Sequence, residues 1–127
     1  MAHVMLVEDD EAFSYLVQRG IVAAGHEVSS FADGLGALTS LESGVEIDLL
    51  VTDLRLPSGT PNGVSLGQMA SLRRPALKIV YMTAFADVAA AARDNAPKVV
   101  LKNDDGSKVL AAIESALADR SAEPKAR

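Results

Sequence analysis

Five short strand-like runs, most of them rich in Val, Ile and Leu, recur along the chain: His3 to Val7, Glu27 to Phe31, Ile47 to Thr52, Leu77 to Met82 and Lys98 to Leu101. Within Asp48-Leu49-Leu50-Val51 and Lys78-Ile79-Val80-Tyr81-Met82 the apolar positions do not alternate with polar ones. An uninterrupted apolar strand suits a parallel sheet covered on both faces, because neither face meets water. Between the runs the spacing becomes helical. Phe13, Leu16, Val17, Gly20, Ile21 and Ala24 recur at i, i+3, i+4 and i+7, which predicts one buried helical face, and Val109, Leu110, Ile113 and Leu117 repeat the pattern near the end. A helix made mostly of alanine is expected from Asp87 to Asn95. Strand and helix alternate five times, joined by connections as short as Ala24-Gly25-His26 and Asp33-Gly34. The pattern predicts an α/β domain with helices on both faces of a five-stranded parallel sheet.

With 127 residues the chain is the size of one ordinary domain. Residues 1–120 are expected to fold as that domain, and the polar tail 121–127, which contains Pro124, to fray. Only 4% of the residues are aromatic against 49% hydrophobic overall, so the core is expected to be aliphatic. Cysteine is absent, which excludes disulfides, thiol nucleophiles and thiolate metal sites. A net charge of −5 with no local basic patch argues against nucleic acid and anionic membrane as partners. The N-terminus lacks the regions of a signal peptide, and no apolar run approaches the roughly 20 residues needed to cross a bilayer. The expectation is a soluble, cytoplasmic protein.

In a doubly wound sheet, ligands bind beyond the carboxyl ends of the strands. There the chain places Glu8, Asp9 and Asp10 after the first run, Asp53 after the third, Thr83 after the fourth and Lys102 after the fifth. With strand order 2-1-3-4-5 these groups converge. Carboxylates crowded together raise one another's pKa unless a cation offsets their repulsion. Magnesium, which takes one or two carboxylates along with waters and phosphate oxygens, suits Asp9 and Asp53 as direct ligands with Glu8 acting through water. An aspartate held in line with a phosphoryl donor can form an acyl phosphate, and Asp53 is central. Lys102 would then meet the phosphoryl oxygens as a point charge, and the Thr83 hydroxyl would donate to another oxygen. Asp10 has a plainer reading as the N-cap of the first helix. A single Lys or Thr at a strand end is usually a solvated terminus; here it is their joint occurrence that counts.

Val4-Met5-Leu6-Val7-Glu8-Asp9-Asp10, Leu49-Leu50-Val51-Thr52-Asp53-Leu54-Arg55-Leu56-Pro57 and Ile79-Val80-Tyr81-Met82-Thr83-Ala84 together resemble the response-regulator receiver family of two-component signalling, over residues 3 to about 119. The resemblance implies a flavodoxin-like doubly wound fold of order 2-1-3-4-5. It implies Glu8 and Asp9 as the acidic pair for Mg2+, Asp53 as phosphoacceptor and metal ligand, and the main-chain carbonyl of Arg55 as a further metal contact. Thr83 and Lys102 become phosphate partners. The implied partner is a histidine kinase or a histidine phosphotransfer protein, with a downstream protein target docked on the phosphorylated form, commonly beside the first helix. The apolar face near Ala89 to Ala92 is a second docking candidate.

The chain departs from the family pattern in several places. Asn103 follows Lys102 where proline is usual, and a cis bond without proline costs roughly 3 kcal/mol, so a trans bond is expected. Val99 stands where the family has a switch aromatic, so phosphorylation is expected to reshape the surface near the fourth strand, its helix and the fifth strand without a ring flip there. The loop from Pro57 to Gly63 is about two residues longer than usual. Arg55 and Phe85, two residues after Asp53 and Thr83, are expected to flank the path of water to the acyl phosphate. The alternative function is a receiver-like binding module that works without phosphorylation. A turnover phosphatase of the Asp-x-Asp kind is disfavoured by arginine at position 55, and flavin binding by the lack of a phosphate-cradling loop.

Overall fold

The apolar runs become strands of one sheet, and the helical spacings become the layers that cover it. The computed structural model describes residues 1–57, 61–93 and 98–119. In chain order these form β1 (His3–Val7), α1 (Glu11–Ala23), β2 (Glu27–Phe31), α2 (Gly34–Glu42), β3 (Leu49–Asp53), α3 (Gly63–Arg73), β4 (Lys78–Thr83), α4 (Ala86–Ala92), β5 (Val99–Leu101) and α5 (Ser107–Ala118). The sheet runs β2-β1-β3-β4-β5 with every neighbouring pair parallel, the flavodoxin-like order. The order reverses beside β1, which opens a crevice at the carboxyl ends of β1 and β3.

Alternate residues of the central strands feed two cores. Val4, Leu6, Leu49, Val51, Val80 and Met82 meet Val17 and Ile21 of α1 and Val109, Ile113 and Ala116 of α5. On the opposite face Met5, Val7 and Leu50 meet Ala37 and Leu41 of α2 and Leu66 and Ala70 of α3. Complete burial of β3 explains why its sequence cannot alternate. A smaller cluster joins Leu54 and Tyr81 to Val64, Val88, Ala92 and Val99, and so seats α4 against the outer strands.

Three helices start on the short polar residues suited to that position. Asp10 accepts from Phe13 N at 3.2 Å, Asp33 from Gly36 N at 2.8 Å and Asn62 from Ser65 N at 2.9 Å, each satisfying a backbone donor that the first turn leaves unpaired. The N-cap reading of Asp10 therefore holds.

The structure corrects several expected boundaries. β3 starts at Leu49 rather than Ile47, because its pairing with β1 begins at Val4 and Leu49; Asp48 lies in the bend before it, where its N–H donates to His3 O and its carboxylate accepts from His3 N, each at 2.8 Å. β3 and β4 run on to include Asp53 and Thr83, and β4 and β5 begin one residue later than the apolar runs do. Leu16 and Ala24 do not belong to the buried face of α1: both are exposed, since only a narrow stripe through Val17 and Ile21 reaches the sheet. The alanine helix spans Ala86–Ala92, and its expected end at Asn95 lies outside the described residues. The middle of the long loop, 58–60, and the tail 121–127 also lie outside them. Among the described residues every peptide bond is trans.

Candidate functional site at the carboxyl rim of the sheet

Register alone brings the strand-end residues together. Val7 pairs with Thr52, so Glu8 and Asp53 occupy the next positions along two neighbouring strands. Asp53 pairs with Met82, which precedes Thr83, and Thr83 pairs with Leu101, which precedes Lys102. Backbone bonds fix the rim: Glu8 N donates to Phe31 O at 2.9 Å, Leu54 N to Met82 O at 2.9 Å and Lys102 N to Thr83 O at 2.8 Å. Gly63 is required where the long loop returns over the site. A Cβ there would fall 2.0 Å from the Asp53 carbonyl oxygen, so no larger residue fits without moving β3 or α3.

Glu8, Asp9 and Asp53 each turn a carboxylate oxygen to one spot, the three oxygens lying within 4.8 Å of one another. The Lys102 ammonium reaches into the group, 2.5 Å from Glu8 Oε1 and 2.8 Å from Asp53 Oδ2. These side chains are 13% (Lys102), 1% (Glu8) and 11% (Asp53) exposed, so their charges interact with little screening by water. Asp9, by contrast, is open to solvent. Asp53 Oδ1 accepts from Arg55 N at 3.2 Å, and Glu8 Oε2 from Asp10 N at 3.1 Å.

Two acids buried with one ammonium leave an excess of negative charge, and Glu8, the more deeply buried, responds. Burial pushes its carboxyl up to about 7, against the downward pull of Lys102 and the Asp10 N–H. Burial also acts to lower Lys102, but hydrogen bonds and charge from Asp53 and Glu8 outweigh it and hold the ammonium above its ordinary value. The donor set fits a hard divalent cation: all three ligands are carboxylate oxygens, one of them faces water, and their charge is not neutralised by Lys102 alone.

Thr83 is buried at the end of β4, and its Oγ1 accepts from Phe85 N at 3.3 Å. Phe85 itself is exposed and carries the Arg55 guanidinium over its ring. All the strand-end residues singled out from the sequence thus lie along this one rim. One neighbour was not foreseen as part of it: the Phe13 ring, which the spacing assigns only to a buried helical face, also meets the Lys102 ammonium. No local signal marks that contact, because it joins two side chains far apart in the chain, one in α1 and one just after β5. A groove of about 660 Å³ lies on the flank of the sheet, lined by residues such as Gly67, Leu72, Ile79, Tyr81 and Lys98, and none of the strand-end acids borders it.

Comparison with known proteins agrees with this geometry. The sequence model of the response regulator receiver domain matches residues 4–114. The response regulator receiver protein CpdR of Brucella abortus is 32% identical over 98 residues, which is 77% of this chain and 79% of that protein. The DNA-binding transcriptional regulator NtrC of Escherichia coli is 32% identical over 88 residues, 69% of this chain but only 18% of NtrC, so the chain matches a small part of that longer relative. The solved structure of a response regulator receiver protein from Sinorhizobium medicae superposes with a TM-score of 0.83 at 25% identity, covering 94% of this chain and 97% of that one. No described helix is long and apolar enough to cross a membrane. By its sequence, its strand order and the acids gathered at its rim, the chain belongs to the response regulator receiver domain family.

Proposed function

We propose that this chain is a phosphorylation switch in which Asp53 accepts a phosphoryl group from a histidine kinase or a histidine phosphotransfer protein, with Mg2+ as cofactor. The phosphorylated form then docks a downstream protein or passes the phosphate on, and a cytoplasmic location goes with that role. Phosphorylation on aspartate is the general mechanism of receiver domains, and such domains generally work with histidine kinases or phosphotransfer proteins. The observation that carries the reading is the position of Asp53, clustered with Glu8 and Asp9 and 2.8 Å from the Lys102 ammonium.

In the transfer, an Asp53 carboxylate oxygen bonds to phosphorus as the phosphorus–nitrogen bond of the donor histidine breaks, and the freed imidazole returns to its neutral form. Held by Asp9, Asp53 and the main-chain carbonyl of Arg55, with Glu8 acting directly or through water, Mg2+ would neutralise the acids and the phosphoryl oxygens. Lys102 supplies a fixed positive charge beside the acceptor oxygen, preorganised by its two ion pairs. Thr83, whose Oγ1 accepts from Phe85 N, keeps its own proton for a phosphoryl oxygen. Water later attacks phosphorus, releasing inorganic phosphate and restoring the carboxylate.

A second reading, a receiver-like binding module independent of phosphorylation, draws on Val99 at the switch position and on the hold that Glu8 has on Lys102. Incubation with acetyl phosphate and Mg2+ followed by intact-mass measurement separates the two. Wild type is expected to gain one phosphoryl group and Asp53→Asn none; a wild type that gains nothing, from acetyl phosphate or from phosphorylated phosphotransfer domains, favours the module.

A further inference from the structure

Phe13 stands in the first turns of α1, its ring packed against the core that joins β1, β3, α1 and α5. It also has a charged neighbour: Lys102 Nζ lies 5.0 Å from the ring centroid. The ammonium is therefore held between two carboxylates, at 2.5 Å and 2.8 Å, and the face of an aromatic ring. The turn after Lys102 also rests on this ring. Gly106, with φ 75°, opens α5 there, and a Cβ on it would stand 3.6 Å from Val17 Cγ2 and 4.0 Å from Phe13 Cε1.

A ring attracts a cation through its quadrupole, and more strongly where water is kept out. The ionic partners of Lys102 are the groups that change when Asp53 is phosphorylated: Asp53 becomes an acyl phosphate, and Glu8 belongs to the cluster of acids that a metal ion would draw on. Phe13 carries no charge to change, and its ring packs against the apolar core. We propose that Phe13 is a positioning residue that keeps the Lys102 ammonium in the pocket while its ionic partners alter, an inference that rests on Asp53 being the phosphoacceptor. Leucine at position 13 preserves apolar packing but offers no quadrupole. Tyrosine preserves the ring.

The test measures phosphoryl uptake from acetyl phosphate with Mg2+, by intact mass across a range of donor concentrations, in wild type, Phe13→Leu and Phe13→Tyr. Side-chain NMR of Lys102 in the resting protein accompanies it, because methylene protons held over a ring move upfield. The leucine variant is expected to lower the maximal rate about three- to thirtyfold, the range between a partly exposed and a desolvated cation–ring contact. The donor concentration for half-maximal rate should stay near that of wild type, and the upfield shift should vanish. Tyrosine is expected to restore both rate and shift, which a purely packing role would not require. A leucine variant as fast as wild type, or a tyrosine variant as slow as leucine, overturns the proposal. Absence of the upfield shift in wild type also overturns it, and needs no variant to fold. A wild type that takes up no phosphoryl group is a different failure, of Asp53 as acceptor, because there is then no rate for Phe13 to influence.

Discussion

The guanidinium of Arg55 lies 5.5 Å from the ring centroid of Phe85, so the segment after β3 and the segment after β4 are tied together beside the Asp53 carboxylate. Arg55 N also donates to Asp53 Oδ1, and Phe85 N to Thr83 Oγ1, so each member of the pair is anchored to a residue of the rim. A ring and a planar cation stacked there are expected to obstruct water approaching an acyl phosphate on Asp53. Phe85→Ala is expected to shorten the lifetime of phosphorylated Asp53 by about two- to fivefold, the scale of an exposed cation–ring contact of roughly 0.5–1 kcal/mol. Following loss of the phosphorylated mass after removal of the donor checks this; an unchanged lifetime removes the gate.

Lys102 opposes the charge of two buried carboxylates, so its loss should affect stability and metal affinity in opposite directions. Without the ammonium, Glu8 and Asp53 face each other without their shared cation, and Lys102→Ala is expected to destabilise the metal-free protein by about 3–5 kcal/mol, the scale of a broken buried ion pair. A divalent cation then relieves more repulsion than in wild type. Thermal melts with and without Mg2+ should show a lower metal-free midpoint for the variant and a larger upward shift on adding the ion. Equal shifts in the two proteins would mean that Lys102 and the metal do not share the acids.

Much of this arrangement was legible because parallel strands buried on both faces leave continuous apolar runs whose ends are easy to find. β1 coincides with its run for that reason, and the polar residue after each of the central runs marks the rim. What escaped was whatever depended on packing between distant segments. Leu16 satisfies the helical spacing yet faces solvent, since spacing defines a stripe but not its width. Asp48 was read into β3 from the strength of Leu49-Leu50-Val51, whereas the paired register with β1 begins only at Leu49 and Asp48 lies in the bend before it. The hold of Glu8 on Lys102 and the ring of Phe13 beside it are likewise invisible locally, because Lys102 follows the edge strand and its side chain reaches residues that follow β1 and begin α1, far away in sequence.

Asp10 stands next to the acid cluster in sequence, but its carboxylate caps α1 by accepting from Phe13 N. Its removal should therefore be felt in stability and not in chemistry. Asp10→Ala is expected to cost about 1 kcal/mol, as lost N-caps do, and to leave the maximal rate of phosphoryl uptake near that of wild type. Chemical denaturation paired with the mass assay checks both halves; a large fall in rate at unchanged stability would place Asp10 in the site after all.

Gly67 of α3 and Tyr81 of β4 approach closely: a Cβ on Gly67 would lie 1.9 Å from the Tyr81 hydroxyl oxygen. Burial raises the pKa of that phenol, consistent with a hydroxyl kept from water. Alanine in a helix interior gains up to about 1 kcal/mol over glycine in propensity, but here the methyl must displace a ring packed with Leu54, Val88 and Val99. Gly67→Ala is therefore expected to destabilise the fold by about 1–3 kcal/mol, the usual cost of overpacking. Tyr81→Phe removes the obstructing oxygen, so the double variant should recover part of the loss. Two residues in contact are coupled in this way, and a double-mutant cycle of denaturation free energies measures it. Strict additivity would show that the helix yields elsewhere and that the Tyr81 hydroxyl does not set the spacing of α3 from the sheet.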